Sequence, residues 1–275
     1  MSGFFAAGRH WDLTGDSLSC FQSAIAQLAD AGLPDAQTEA QHLWVLADGQ
    51  EDTFLGVVKR RAAREPLSHL RGYRDFYKHR FAVTPDVLDP RPDTEELVRA
   101  ALETPFATVL DLGTGSGCIL LSLLADRAAA VGVGTDLSPG ALAVAAQNAA
   151  ALDVAQRATL RHSDWYEAVT ERFDLIVSNP PYIAASEMAG LQPEVRDHEP
   201  RIALTDEADG LACYRTIIAG APKHLTLGGW LMLEIGLTQA QAVGALMAAR
   251  GFDAITTRQD LNGHDRVVLG QLSLE

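Results

Sequence analysis

The sequence predicts an α/β protein in which a small helical domain precedes a mostly parallel, doubly wound sheet. Three observations lead there. Apolar residues near the start recur at helical spacing, an aromatic stretch then ends in three prolines, and from Thr108 onward β-type runs alternate with alanine- and leucine-rich helical ones.

Leu18, Phe21, Ile25 and Leu28 mark a first helix, and Leu43, Val45 and Leu46 follow a polar start, Asp35-Ala36-Gln37-Thr38-Glu39, for the next. Gly32-Leu33-Pro34 separates the two, and helical character extends to about Arg64. Between Asp75 and Pro92 the residues Phe76, Tyr77, Phe81 and Val83 precede Pro85, Pro90 and Pro92, which predicts a short hairpin and a stiff connector. Residues 1–74 are therefore expected to form the helical domain, 75–95 the hairpin and connector, and 96–275 the sheet domain. In the last, Thr108 to Leu112 gives a strand, a glycine-rich turn follows, and an apolar helix begins at Ile119. Val131 to Asp136 gives a second strand, weakened by Gly134. An alanine-rich helix runs from Pro139, a residue suited to a first helical turn, to about Leu152. Further strands are expected at 158–162, 173–178 and 229–235, with two late ones near 254–258 and 266–272.

An apolar content of 47% supports an ordinary buried core, and a net charge of −14 sets the summed field against nucleic-acid phosphates. Cys20, Cys118 and Cys213 are odd in number and far apart, which fits neither a disulfide framework nor a zinc site. The eight histidines, His69, His162 and His264 among them, lack metal-ligand spacing and read as structural residues. Met1-Ser2-Gly3-Phe4-Phe5 shows no basic segment followed by a long apolar run, so no targeting signal is expected, and no apolar run reaches the ~18 residues of a membrane span. A reducing cytoplasm is the expected setting.

Asp111-Leu112-Gly113-Thr114-Gly115-Ser116-Gly117 lies between the first strand and its helix, where missing side chains let backbone approach a ligand. Asp136 follows about 20 residues later at the next strand's end, placed to accept hydrogen bonds from ribose hydroxyls. The Gly-x-Gly-x-Gly spacing is tighter than the dinucleotide pattern, and no Lys-Ser or Lys-Thr pair stands ready for a triphosphate. S-adenosylmethionine, which has no phosphate, is favoured over a plain connecting turn.

Ser178-Asn179-Pro180-Pro181-Tyr182 follows the apolar run from Phe173, so it occupies a strand's carboxyl end, where open α/β sheets bind ligands. Two prolines stiffen the loop and leave carbonyl acceptors without N–H donors. A planar NH2 group carries two donors, which the Asn179 oxygen and a nearby backbone carbonyl can receive. Tyr182 offers a face for stacking. An amide nitrogen is a poor nucleophile, so aiming it and stabilising its developing positive charge are what the loop would contribute. The alternative is a proline-stiffened turn capped by Asn179.

With these residues in view, the chain resembles the HemK/PrmC family, the N5-glutamine methyltransferases that modify the Gly-Gly-Gln glutamine of class 1 peptide chain release factors. Asn179-Pro180-Pro181-Tyr182 alone is shared with DNA amino-methyltransferases. The likeness extends through Glu65-Pro66-Leu67-Ser68-His69-Leu70 with Gly72, and Pro90-Arg91-Pro92-Asp93-Thr94-Glu95. It continues in Glu199-Pro200-Arg201-Ile202-Ala203-Leu204, Asp209-Gly210-Leu211 with Tyr214, Leu233-Glu234-Ile235-Gly236 and Asp265-Arg266-Val267. Asp89 departs from it, standing where the family usually has an apolar residue.

The resemblance implies a Rossmann-like class I methyltransferase sheet with a late antiparallel strand, and an N-terminal helical domain that helps recognise the release factor. It implies that Gly113, Thr114, Gly115, Ser116 and Gly117 line the methionine and ribose of S-adenosylmethionine, that Asp136 binds the ribose and that Trp165 lies against the adenine. Asn179, Pro180, Pro181 and Tyr182 would hold the glutamine, with Asn179 and Pro180 as the catalytic pair and Asn179 also near the cofactor. Asp164-Trp165 also reads as a packed strand end, Arg91 with Asp93 to Glu95 as a solvated loop, and Glu234 as a strand-end carboxylate. Two other functions stay open. One is a nucleic-acid amino-methyltransferase, against which the charge and the lack of a basic run argue. The other is a non-catalytic cofactor sensor, which has no evident need of the Asn179 loop.

Overall fold

The computed structural model describes residues 4–6, 9–11 and 15–273; Met1, Ser2 and Gly3 of the N-terminal stretch read above lie outside the described residues. The chain divides into two compact units, one of Met1–Gly72 with Pro193–His198 and one of Tyr73–Gln192 with Glu199–Glu275.

The first unit opens with a hairpin, β1 (Phe4–Ala6) and β2 (Arg9–Trp11), followed by α1 (Asp16–Asp30), α2 (Ala36–Leu46), α3 (Glu51–Ala62) and α4 (Leu67–Arg71). Asp35 caps α2 by accepting the Thr38 N–H at 3.2 Å. Phe21, Leu28, Leu43, Trp44, Phe54 and Val58 make the core, with Phe54 stacked on Phe21 and edge-on to Trp44 at a centroid distance of 4.9 Å. Leu18 and Val45, expected on the apolar faces, are instead 40% and 39% exposed. The buried stripe of α1 is Phe21, Ala24 and Leu28, and that of α2 is Ala36, Ala40, Leu43 and Trp44, so Val45 falls one position off the face. A short helix, Pro193–His198, belongs to this unit although the chain reaches it much later. Its Glu194 accepts from Arg61 at 3.1 Å and Arg64 at 2.7 Å, while Arg61 also pairs with Glu39.

The second unit begins with a hairpin, β3 (Tyr73–Phe76) and β4 (His79–Ala82), and a 3-10 turn, Pro92–Thr94, that leads into α5 (Glu95–Glu103). Then come β5 (Thr108–Leu112), α6 (Cys118–Asp126), β6 (Val131–Asp136), α7 (Pro139–Ala151), β7 (Ala158–His162) and β8 (Phe173–Ser178). After α8, the Pro193–His198 helix already placed, follow α9 (Ala212–His224), β9 (Leu225–Glu234), α10 (Ala240–Ala249), β10 (Phe252–Gln259) and β11 (Asp265–Leu272). Seven strands form one sheet in the order β10-β11-β9-β8-β5-β6-β7. All pairs from β9 to β7 are parallel, and β11 runs antiparallel to both neighbours, the late antiparallel strand that the resemblance implies.

Alternate strand residues feed two apolar layers: Val109 packs with α5 and α6, while Leu110 packs with α9 and α10. The strand containing Gly134 is not weak, since β6 pairs with β5 from Val131 to Thr135 on one side and with β7 from Gly132 to Asp136 on the other. Its glycines answer a steric demand: a Cβ at Gly132 would stand 2.5 Å from the Leu120 side chain and one at Gly134 2.9 Å from the Thr114 hydroxyl. β9 starts at Leu225, earlier than expected, because Gly228, at φ 75°, is absorbed within the strand rather than ending it. Among the described residues no helix is long and apolar enough to cross a membrane.

β5, β6 and β7 step outward on one side of the sheet and β8 and β9 on the other, so the order reverses at β5. The carboxyl ends of β5 and β8 thus flank the crevice where such sheets bind ligands.

Candidate active site

A cavity of about 500 Å³ opens at that reversal, within the usual range for a small-molecule site. Residues 113–116 after β5, 136–138 after β6, 163–165 after β7, and Asn179 and Pro181 after β8 line it, together with 86–91, Thr94 and 200–207 except Leu204.

The five residues of the glycine turn do different work. Gly113 and Gly115 sit at φ 70° and 55° with nothing near the place a Cβ would take, so their missing side chains leave open cavity. Gly117 is not in the lining: at φ 81° it opens α6, and a Cβ there would meet the Leu121 side chain at 2.7 Å. Thr114 faces inward and donates to Asp111 at 2.7 Å, and the Ser116 carbonyl accepts from the Asn148 amide at 2.9 Å. Burial pushes the Asp111 carboxyl up to about 7.

Both oxygens of Asp136 are engaged with backbone, one accepting the Gly115 N–H at 2.8 Å and the other the Ser138 N–H at 2.9 Å. Each keeps a further lone pair for a ligand. Trp165, at φ 45°, is half-buried, lines the cavity, and has its carbonyl held by the Ser163 hydroxyl at 2.9 Å. Asp86, Asp89, Asp136, Asp164, Asp206 and Glu207 contribute acidic side chains to the wall against the cationic Arg91 and Arg201. Such a wall favours a cation over a phosphate.

The structure brings Asn179 and Pro181 into the lining, and leaves Pro180 and Tyr182 out of it. Pro180 is buried, and the Tyr182 ring packs against the α9 and α10 layer. Ser178 ties the base of the loop to β5 through the Leu112 carbonyl at 2.6 Å, and the Asn179 amide donates to the Thr94 hydroxyl at 3.3 Å.

Gln239 secures the far end. Its amide donates to the Tyr182 carbonyl at 3.0 Å and the Gly210 carbonyl at 3.1 Å, and its oxygen accepts the Gly236 N–H and the Tyr214 hydroxyl. Three of the four hydrogen-bonding positions of this side chain are filled outright, and the fourth shares the Tyr214 proton with the nearer Glu234 carbonyl at 2.9 Å. Gly210, at φ 78°, lies so close that a Cβ would fall 2.5 Å from the Tyr182 carbonyl oxygen. Gly210→Ala is therefore expected to displace the loop and lower kcat by about tenfold, with cofactor affinity little changed, from strain of the order of 1–3 kcal/mol. Steady-state kinetics beside a binding titration checks this, and an unchanged kcat would sink it.

Sequence reasoning missed Asn148 and Gln239 and gave Thr94 no role of its own. Asn148 carried a signal, since it is the polar residue on the face of α7 that otherwise buries Ala141, Val144, Ala145 and Ala149. Gln239 carried none, lying in a turn before α10.

A family model described as "Methyltransferase small domain" matches residues 89–192. A release factor glutamine methyltransferase of Cereibacter sphaeroides is 51% identical, with 91% of this chain and 96% of that protein covered. One of Caulobacter vibrioides is 43% identical, with 92% and 95% covered. Among solved structures, the T. thermophilus 16S rRNA N2 G1207 methyltransferase, in complex with AdoMet and guanosine, shares the fold at a TM-score of 0.52 and 21% identity, over 73% of this chain and 49% of that one.

Proposed function

The chain belongs to the release factor glutamine methyltransferases, and on that premise we propose that its cavity holds S-adenosylmethionine while the Asn179 loop presents the side-chain amide of the Gly-Gly-Gln glutamine of a class 1 peptide chain release factor. The residues present fit the cofactor: two glycines with open space in place of side chains, a carboxylate at the ribose end of the crevice, and an acidic wall without a lysine for phosphate. Gly113 to Ser116 would border its methionine and ribose, Asp136 would accept the ribose hydroxyls and Trp165 would lie against the adenine. Gly117 would act from behind by fixing the turn. When bound, S-adenosylmethionine supplies an electrophilic methyl group.

The observation that carries the reading is the orientation of Asn179. With its amide nitrogen donating to Thr94, its Oδ1 is the atom turned to a ligand. That oxygen accepts one N–H of the target amide and a loop carbonyl takes the other, which aims the nitrogen and stabilises the positive charge it acquires. The nitrogen ends with one methyl in place of one proton, which leaves to solvent. Pro180 and Pro181 keep the loop rigid, and Tyr182 anchors it through its carbonyl.

The helical unit is read as the part that recognises the release factor protein, and the net charge of −14 as the reason no direct nucleic-acid contact is needed. The site of action is then the cytoplasm, where release factors work. Mass spectrometry after incubation with S-adenosylmethionine tests this: an intact release factor should gain one methyl on its Gly-Gly-Gln glutamine far faster than the excised peptide. No added methyl would overturn the substrate, and equal rates would remove the recognition role.

A further inference from the structure

Arg91-Pro92-Asp93-Thr94-Glu95, which the sequence allows as a solvated charged loop, is tied down in the structure at each of its charged residues. Arg91 donates from Nη2 to both Glu199 oxygens at 2.7 Å, and Glu199 is buried. Asp93 pairs with Arg266 at 3.2 Å, while Glu95 accepts the Tyr77 N–H at 3.0 Å and an Arg99 nitrogen at 2.6 Å. The turn closes on itself where the Thr94 N–H donates to the Arg91 carbonyl at 3.1 Å. Thr94 is the uncharged polar residue among them, and its side chain serves the site. It is 2% exposed, and its hydroxyl oxygen accepts from the Asn179 amide at 3.3 Å.

Arg266 is the anchor best fixed by its own surroundings. It lies on β11 beside the end of β9, where its carbonyl accepts the Ile235 N–H at 2.9 Å, and its guanidinium donates to the Ile235 carbonyl at 3.4 Å and to Asp260 at 3.2 Å. Both Arg266 and Asp260 are buried. The Asp93 side chain, by contrast, is 41% exposed, so its pairing with Arg266 contributes little to stability. What the pair determines is where the turn lies, and Thr94 is the next residue.

We propose that Asp93, held by Arg266, is a positioning residue for methyl transfer: the pair fixes the turn that carries Thr94, and the Thr94 hydroxyl fixes the Asn179 amide with its oxygen toward the target nitrogen. Neither Asp93 nor Arg266 is among the residues that line the cavity, so the effect reaches the reaction through Thr94. Such an effect can be large, because a displacement of about 1 Å that originates away from the chemistry can cost about 100-fold in rate. The inference rests on the reading that Asn179 holds the target amide.

Single-turnover methylation of a release factor at saturating S-adenosylmethionine, beside a binding titration of the cofactor, decides the matter. Asp93→Ala is expected to be about tenfold slower than wild type, with cofactor affinity within about twofold. Asp93→Glu keeps the charge at a half-exposed position that has room for one more methylene, and should recover most of the rate. Thr94→Val has nearly the same shape without the hydroxyl and should also lose about tenfold. The Asp93→Ala/Thr94→Val double variant should be no slower than Thr94→Val alone, because the hydroxyl through which Asp93 acts is already gone. Asp93→Ala or Thr94→Val at the wild-type rate, losses that multiply in the double variant, a loss borne by cofactor affinity, or Asp93→Glu as slow as Asp93→Ala would each overturn the assignment. An Asn179→Ala variant turning over at the wild-type rate would instead overturn the reading beneath it.

Discussion

Asn179→Ala is expected to slow methylation of a release factor by at least about 100-fold, roughly 2.7 kcal/mol of transition-state stabilisation, while S-adenosylmethionine affinity changes much less. The substitution removes the side-chain oxygen left over when the Asn179 amide nitrogen donates to Thr94, the atom that the proposed function makes the acceptor for the target N–H. Asn179→Asp keeps an acceptor of the same shape. It also replaces the donor to Thr94 with a second acceptor and places a negative charge beside the sulfonium, which tightens the ground state without restoring the geometry. The expected order of single-turnover rates is Asn above Asp above Ala. Comparable rates for Ala and Asn would return Asn179 to the status of a turn residue.

Asp136→Ala is expected to weaken S-adenosylmethionine binding by about 1–3 kcal/mol, or about 5- to 150-fold, through loss of a charged acceptor for the ribose. The structure adds a second cause. Asp136 also holds the Gly115 and Ser138 N–H groups, so its removal loosens the glycine turn it faces. Asp136→Asn should fail as well, because an amide has one oxygen for two backbone donors. Isothermal titration calorimetry measures both, and unchanged affinity would take Asp136 out of the cofactor site.

The sheet was legible because its signals are local. β5, β6 and β8 are apolar runs and β7 a shorter mixed one, closed by Asp, Gly, His or Ser, and the sequence places each end where the structure does. The helical unit was less so, since the core faces of α1 and α2 mix alanines with large residues, and Val45 reads as well as Trp44 until packing chooses between them. At the site, the strand-end positions Asp136 and Asn179 announce themselves by following strands. Thr94 and Gln239 do not, because they meet Asn179 and Tyr182 across 85 and 57 residues of chain, and strand pairing brings them within reach. Gly210 stood out only by resemblance, and the close Tyr182 carbonyl supplies its physical reason.

The Pro193–His198 helix has a consequence for how the protein comes into being. A chain made from its amino end releases Arg61 and Arg64 from the ribosome well before their partner Glu194 exists. Domains usually mature in the order of synthesis. Here the first unit cannot complete its ion pairs until residues 73–192, and with them β5 to β8, have been made. The helical unit must wait for its last ion pairs until β5 to β8 of the second unit have been made, so translation cannot deliver it finished ahead of them.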